Sequence, residues 1–510
     1  MDKKKGFLNV AVSLLAKILV LVFTLITRRL IIKYLGNDIN GINSLYTSII
    51  GFLSVTELGV GAAIAFSMYG PIVNEDYCKV RSLYQLYKKL YYIIALVIGI
   101  SGICVMPFLP FLAKGYNPKG TSLYFTFLLA LCAVVITYLY SAKNSLINAY
   151  KNNYITSLSN CAGITLQSIL QIVVLVLYKS FVLFLIATIL GTLVQWIFAH
   201  IITKQKYPNI INGPRQPLDN TTKREVVKNV KAMFMHKIGN VMVNTIDSII
   251  ISAFVGVAIL GKYSNYTIIS TAIISIISLA FSSLTAIVGH AFVKQTSRVL
   301  EEYYDLFYIV NYLLGSLFFL GYYAVIDDLI VLLFGDGLIL NSVIVKCVTL
   351  NYFVQFLRQS TLLFRDASGA FYNDRWKPIF EGIANLVLSI LLVLLLPADY
   401  SVAGVILATI VTNLCVCHVV EPHILYKYSF KSSPKKHYIR NYILIVVFCI
   451  IMFIFDQIRF DGLSNWINVI VNGSIVVAIW LAGSALMLIT NKKTRHKIVY
   501  AIKQRKEVHR

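Results

Sequence analysis

The sequence predicts an all-α integral membrane protein with about 14 transmembrane helices. Its 510 residues are 58% hydrophobic and only 13% charged, whereas soluble domains carry roughly a quarter charged residues. Long apolar runs recur along the chain, such as 8–26 and 91–113. Runs of about 20 apolar residues cross the bilayer as helices. These runs are continuous and do not alternate with polar residues, which favours helices over membrane strands.

Fourteen spans account for the apolar runs. In chain order they are 7–30, 39–66, 89–113, 121–145, 155–178, 181–203, 229–254, 263–290, 305–333, 338–362, 378–397, 401–425, 438–458 and 464–489. The longest polar connections are 67–88, 204–228 and the tail 490–510. None of these connections is long enough to form a soluble domain of its own.

Lysine and arginine are distributed unequally between the two sides of the predicted membrane. The side that holds the amino terminus and every second loop carries 34 of the 46 Lys and Arg residues, and the opposite side carries 8. Cytoplasmic loops are rich in Lys and Arg. Both termini are therefore predicted to be cytoplasmic. The net charge of +24 reflects this topology, and we expect no nucleic-acid partner.

An internal repeat divides the chain into halves. Residues 34–47 align with 254–267 at an offset of 220, with six of fourteen positions identical. Residues 149–153 align independently with 370–374 at an offset of 221. The offset covers six predicted spans, an even number, so the halves have the same orientation. Repeats of this kind line a central site in many transporters.

The repeat predicts four regions. They are an N-terminal six-helix bundle at 1–215, a C-terminal six-helix bundle at 216–430, two additional transmembrane helices at 431–489 and a basic cytoplasmic tail at 490–510.

Two lysines lie deep in corresponding spans. Lys17 lies about 15 Å into span 1 at about 1.5 Å per residue, and Lys237 lies 220 residues later, in span 7. Charges in the hydrocarbon region usually face a cavity or a partner. One interpretation is a paired cationic site in a central cavity, and the other is that each lysine reaches to the cytoplasmic interface. Polar residues on the same helix faces favour the cavity.

Four further charges are candidate functional groups. Arg28 lies on the same helix face as Lys17, and Arg358 is either a cavity residue or an interfacial anchor. Glu57 either pairs with a basic residue of a neighbouring helix or contacts the substrate or a coupling ion. Asp247 either carries a coupling cation or proton, or balances a nearby lysine.

Several classes of function lack their motifs. The chain has no phosphate-binding loop with the G-x-x-x-x-G-K-[ST] spacing, so we expect no ATP hydrolysis by such a loop. Its eight cysteines show no zinc-type spacing. We therefore expect no cofactor, no metal site and no enzymatic activity.

Several motifs resemble those of bacterial polysaccharide repeat-unit flippases (of the O-antigen, capsule or teichoic type), in the multidrug/oligosaccharidyl-lipid/polysaccharide exporter superfamily. The resemblance covers nearly the whole chain and is carried by residues 27–41, 56–64, 69–71, 244–251, 256–266, 364–369 and 374–378.

The resemblance implies two six-helix bundles, with the first and seventh helices lining a central cavity. It also implies alternating access and an oligosaccharide passenger that is carried on polyprenyl diphosphate. The implied partners of the protein are the surrounding membrane lipids and a glycan polymerase. Related flippases hold the diphosphate with cavity arginines, whereas lysines occupy the deep positions here. We expect Lys17, Lys237, Arg28 and Arg358 to bind the substrate.

Two other functions compete with this one. A cation-coupled multidrug exporter of the same superfamily would favour carboxylates over cations in its cavity. A membrane-embedded glycan polymerase or ligase usually presents a large external loop, which this sequence does not contain.

Overall fold

The computed structural model describes residues 3–54, 60–117, 122–211, 218, 224, 245–462 and 464–490. All regular secondary structure in these residues is helical. We number the helices as α1 Lys3–Leu35, α2 Asn37–Leu53, α3 Val60–Val73, α4 Tyr77–Leu112, α5 Leu123–Ala149, α6 Asn153–Leu177, α7 Phe181–Lys206, α8 Pro208–Ile211, α9 Thr245–Val255, α10 Val257–Lys294, α11 Ser297–Phe334, α12 Ser342–Ser368, α13 Lys377–Leu395, α14 Ala398–Phe430, α15 Lys435–Ile458 and α16 Asn465–Thr490.

Nine helices in the described part of the chain are long and apolar enough to cross a membrane. They indicate a multi-pass membrane protein, as the sequence predicts. The number of 14 is not confirmed. Predicted span 39–66 covers α2 and the first half of α3, and residues 55–59 between them lie outside the described residues. Most of predicted span 229–254 also lies outside them, and α9 represents its last part.

Helix starts recur at the spacing of the sequence repeat. Helices begin at residues 37 and 257, 77 and 297, and 123 and 342, and α7 begins at 181 where the α-helical part of α14 begins at 401. The breaks before α2 and α10 fall at Gly36 and Gly256, which have φ angles of 92° and 133°. Glycine adopts such angles without the steric cost that other residues meet. The positions of the helix breaks therefore support a duplication, in addition to the residue identities between the two halves.

The two glycines that follow these breaks lie where α2 and α10 cross. A Cβ added to Gly41 would lie 2.0 Å from the carbonyl oxygen of Val257, and one added to Gly261 would lie 2.6 Å from that of Asn37. The side-chain amide of Asn37 donates to the Ala258 carbonyl at 2.6 Å. Equivalent glycines of the two repeats thus allow direct backbone contact.

Gly41→Ala should destabilise the protein. The new methyl group meets backbone atoms that cannot rotate away, so the free energy of unfolding should fall by about 2–3 kcal/mol, typical of overpacking. Thermal unfolding of the purified protein in detergent measures the change. Gly321→Ala is the matched control, because no atom lies within 4 Å of its added Cβ. Equal effects of the two substitutions would contradict close packing at this crossing.

Contacts divide the chain into two compact units. The first contains the described residues of Met1–Asn265 and Arg375–Thr409. In it α6 packs against α1 and α7, and α5 packs against α4 and α7.

The second unit contains the described residues of Tyr266–Asp374 and Ile410–Arg510. In it α11 packs against α12 and α16, around an aromatic core in which Phe353 and Phe448 stack with ring centroids 3.7 Å apart. The regions 1–215, 216–430, 431–489 and 490–510 remain predictions.

Candidate functional site

A polar cavity of about 250 Å³ lies in the first unit, between α1, α2, α6 and α7. Ten of its thirteen lining residues are polar, which is unusual for a site between apolar helices. The lining residues are Thr24, Thr27, Arg28, Ile31, Asn40, Asn43, Thr47, Ile164, Gln167, Ser168, Gln171, Phe184 and Thr188.

Hydroxyl and amide groups supply most of this lining, and Arg28 supplies its charge. None of the lining residues that the structure describes carries a carboxylate. Hydroxyl and amide side chains both donate and accept hydrogen bonds, whereas a guanidinium only donates. The cavity therefore suits a small anionic group joined to hydroxyl-bearing parts. Its volume is slightly below the roughly 300 Å³ at which drug-sized pockets begin.

Arg28 is held in place by neutral partners. One guanidinium nitrogen, Nη1, donates to Ser264 Oγ at 3.0 Å and to Asn265 Oδ1 at 3.2 Å. Asn40 also donates to Asn265 Oδ1, at 3.1 Å, and to the carbonyl oxygen of Gly261. Within the described residues no carboxylate forms an ion pair with Arg28. These hydrogen bonds fix its orientation, and no acidic side chain of the described residues neutralises its charge.

Lys17 lies on the same face of α1 as the cavity residues Thr24 and Arg28, because 7 and 11 residues correspond to about 2 and 3 helical turns. Its side chain is exposed. At about 1.5 Å per residue, its Cα lies about 16 Å from that of Arg28 along the helix. Lys237 and Glu57 lie outside the described residues. The paired lysine site therefore remains a prediction.

Arg358 lies in the second unit and pairs with a carboxylate. Its guanidinium donates to both carboxylate oxygens of Glu421, at 2.6 and 3.1 Å, and to Asn413 Oδ1 at 2.6 Å. The Glu421 side chain is 1% exposed and that of Arg358 12% exposed. A π-helical turn, Asn413–Cys417, precedes Glu421 in α14. This geometry indicates a structural ion pair between α12 and α14.

Arg358→Ala should destabilise the protein by about 3–5 kcal/mol, since it leaves a buried carboxylate without its partner. The double substitution Arg358→Met with Glu421→Leu should restore most of this loss, because similar apolar volumes replace buried ion pairs at little cost. Thermal unfolding in detergent measures both.

Lys346→Met is the control for this experiment. It removes one member of the more exposed Lys346–Asp456 pair and should cost no more than about 1 kcal/mol. If the double variant were no more stable than Arg358→Ala, Arg358 would have a role other than neutralising Glu421.

Asp247 forms the centre of a second polar cluster in the first unit. It is 6% exposed, and Thr409 Oγ1 lies 3.1 and 3.0 Å from its two carboxylate oxygens. Asn385 donates to Thr409 Oγ1 at 2.7 Å. Among the described residues no Lys or Arg forms an ion pair with Asp247. Asp247 is therefore a buried acidic group that is not balanced by a basic side chain of this part of the chain.

Two buried oxygens beside this cluster, Asn385 Oδ1 and Ser389 Oγ, find no hydrogen-bond partner among the described residues. Ser389 follows Asn385 by one helical turn on the same face of α13. Hard cations prefer carboxylate, amide and hydroxyl oxygens as ligands. Buried polar atoms normally find partners, so the cluster has the composition of a cation or proton site.

The cavity and the Asp247 cluster occupy equivalent positions of the repeat. At offsets of 220 and 221, the cavity residues Thr27, Ser168 and Thr188 correspond to Asp247, Ser389 and Thr409. The same place in each repeat is therefore polar, with an arginine beside it in the first half and an aspartate in the second.

Sequence reasoning identified Arg28 and Asp247 but missed the side chains around them. Gln167 and Gln171 lie one turn apart on α6, and Gln171 donates to Thr188 of α7 at 2.9 Å. Polar residues four positions apart in an apolar helix were the available signal. The close approach of Asn40 and Asn265 gives no local sequence pattern.

No protein-family model and no curated protein matches the sequence. Solved structures do resemble the fold. The lipid II flippase MurJ in an inward closed conformation matches with a TM-score of 0.62 and 14% identity, over 93% of this chain and 99% of that one.

An inward-facing multidrug resistance MATE family transporter of the MOP superfamily matches with a TM-score of 0.60 and 14% identity, over 82% of this chain and 99% of that one. A MOP superfamily transporter from Pyrococcus furiosus, whose binding pocket is described as having reverse polarity, matches with a TM-score of 0.54 and 13% identity, over 84% and 97% of the chains. The chain thus has the fold of MOP superfamily transporters.

Proposed function

We propose that the protein is a flippase that moves a polyprenyl-diphosphate-linked oligosaccharide across the bacterial cytoplasmic membrane by alternating access. The observation that carries this proposal is the polar cavity, in whose described lining Arg28 supplies the charge and no residue is a carboxylate. A guanidinium matches phosphate oxygens in charge and in geometry. The surrounding hydroxyl and amide groups match the hydroxyl groups of a sugar.

In this mechanism the head group enters the protein while the polyprenyl chain stays in the bilayer. Arg28 binds a phosphate oxygen, and its neutral partners Ser264 and Asn265 hold the guanidinium in position. Lys17 on the same face of α1, with Lys237, attracts the diphosphate before it reaches Arg28. A volume of about 250 Å³ is small for an oligosaccharide, so the cavity holds only part of the head group.

The Asp247 cluster supplies coupling in this proposal. A cation or proton on Asp247 would neutralise a buried charge that otherwise costs free energy. Asn385, Ser389 and Thr409 contribute the neutral oxygens around it. Glu57 is a second coupling candidate. A glycan polymerase that consumes the translocated product is the expected partner.

A cation-coupled multidrug exporter is the alternative. The fold resembles a MATE family transporter about as closely as it resembles the flippase, so the fold alone does not separate the two functions. The cationic passengers of the exporter would be repelled by Arg28. The charge of the cavity therefore favours the lipid-linked passenger.

Deletion of the gene in its own host tests the two functions against each other. A flippase predicts loss of a surface polysaccharide and accumulation of its lipid-linked repeat unit inside the cell, with restoration by the wild-type gene. A drug exporter predicts unchanged polysaccharide and increased sensitivity to cationic drugs. The second outcome would overturn the proposal.

A further inference from the structure

A long segment in the N-terminal half of the chain carries positive charge and no acidic residue. Between Asp76 and Asp219 the sequence contains twelve Lys and Arg residues and neither Asp nor Glu. This segment includes α4, α5, α6 and α7. Among the described residues, Lys88, Lys143 and Lys204 form no ion pair. An anion that pairs with them must come from outside this segment, because the segment contains no carboxylate side chain.

Three side chains of α5 and α7 form a compact cluster. Lys143 Nζ lies 2.9 Å from His200 Nδ1 and 5.5 Å from the centroid of the Trp196 ring. The Trp196 and His200 rings stack, with centroids 6.0 Å apart and an interplanar angle of 26°. Lys88 of α4 and Lys204 of α7 add positive charge close to His200. Five side chains from three adjacent helices thus converge.

The hydrogen bond between Lys143 and His200 leaves further donors in this cluster. When Lys143 donates to Nδ1, the neutral imidazole carries its hydrogen on Nε2. His200 is exposed, so Nε2–H and the remaining Lys143 hydrogens are available to one acceptor group. A phosphate with several oxygens suits these donors.

The cluster also borders apolar surface that faces outward. Trp196, Ile197 and Phe198 are 37–46% exposed, and Ile201 is 46% exposed. Tryptophan is enriched where a membrane protein meets the head-group region. The cluster lies toward the Lys- and Arg-rich ends of α5 and α7, which the topology assigns to the cytoplasm. An anion bound there would come from the lipid around the protein.

We propose that Lys143, Trp196 and His200, with Lys88 and Lys204, form a binding site for the phosphate group of an anionic phospholipid in the cytoplasmic leaflet. The cytoplasmic enrichment of lysine explains why basic residues occur here. It does not explain why a lysine is bonded to a histidine and stacked against a tryptophan. This site is separate from the cavity of Arg28 and does not depend on the proposed transport function.

Trp196 itself reports on the lipid that contacts it. The full chain with Trp376, Trp466 and Trp480 changed to Phe is reconstituted into phosphatidylcholine vesicles. Part of the lipid is then replaced by brominated phosphatidylglycerol or, in parallel, by the same fraction of brominated phosphatidylcholine. We expect the brominated anionic lipid to quench Trp196 several times more strongly. Lys143→Gln and His200→Gln should remove that difference, whereas Lys179→Gln, at the other end of α7, should keep it.

A second measurement uses the wild-type chain with all its tryptophans. Phosphatidylglycerol added to detergent-purified protein should raise its melting temperature, and Lys143→Gln should lose that shift. Equal quenching by the two brominated lipids together with no such shift would overturn the proposal. If inorganic phosphate reversed the quenching as well as unlabelled phosphatidylglycerol does, the site would bind free phosphate, and the lipid assignment would be wrong.

Discussion

Arg28→Ala is expected to reduce transport of the lipid-linked oligosaccharide roughly 100-fold at subsaturating substrate. Removing one partner of a buried charged contact costs about 2–5 kcal/mol, and about 1.4 kcal/mol corresponds to a factor of ten. The effect should be large because Arg28 supplies the charge of the cavity lining. Arg28→Lys should retain part of the activity, since lysine keeps the charge but loses the planar donor pair. Initial rates of transport in reconstituted vesicles measure both.

Arg29→Ala is the matched control for this experiment. It removes the same charge from the next position of α1, and Arg29 is not part of the cavity lining. Arg28 also holds Ser264 and Asn265, so each variant needs a melting temperature alongside its rate. Normal transport by a folded Arg28→Ala variant would show that the diphosphate binds elsewhere, and the lysines Lys17 and Lys237 would then be tested together as a double alanine variant.

Asp247→Asn is expected to remove the dependence of transport on an ion gradient. The substitution keeps the size of the side chain and the contact with Thr409 but removes the charge that a cation or proton would neutralise. Coupling between two sites typically amounts to 1–3 kcal/mol, so the acceleration by the gradient should fall by about tenfold or more. Rates are measured with a sodium gradient, a proton gradient and no gradient.

Ser389→Ala is a milder change to the Asp247 cluster than Asp247→Asn. It removes a buried hydroxyl that has no hydrogen-bond partner in the described part of the chain and leaves the carboxylate in place. Weaker ion affinity with preserved coupling is expected if Ser389 is a ligand of the cation. If Asp247→Asn responded to both gradients as the wild type does, Asp247 would be a structural residue and Glu57 would become the coupling candidate.

The helical, multi-pass architecture was predictable from the sequence because apolar runs of sufficient length have no other stable form in a bilayer. Gly36 and Gly256 stand at equivalent places of the repeat, in the predicted connections 31–38 and 255–262, and both have positive φ angles at helix breaks. The number of membrane spans was harder to predict from the sequence. Apolar runs predict fourteen spans, whereas nine helices in the described part of the chain are long and apolar enough to cross a membrane.

The candidate site could be predicted only at its charged residues. An arginine or aspartate in an apolar run is conspicuous because its burial is costly, so Arg28, Asp247 and Arg358 stood out. Whether such a charge is paired depends on residues far away in sequence. Glu421 neutralises Arg358 across 63 positions, and Ser264 and Asn265 reach Arg28 across more than 230. No local pattern contains that information.

Direct transport of a labelled polyprenyl-diphosphate oligosaccharide tests the central claim. The purified protein is reconstituted into vesicles that carry the labelled lipid, and the label that becomes accessible on the opposite face is followed with time. We predict protein-dependent movement that Arg28→Ala suppresses and Arg29→Ala does not. Vesicles that leave the labelled lipid in its original leaflet, while the same protein extrudes a cationic drug, would contradict the account.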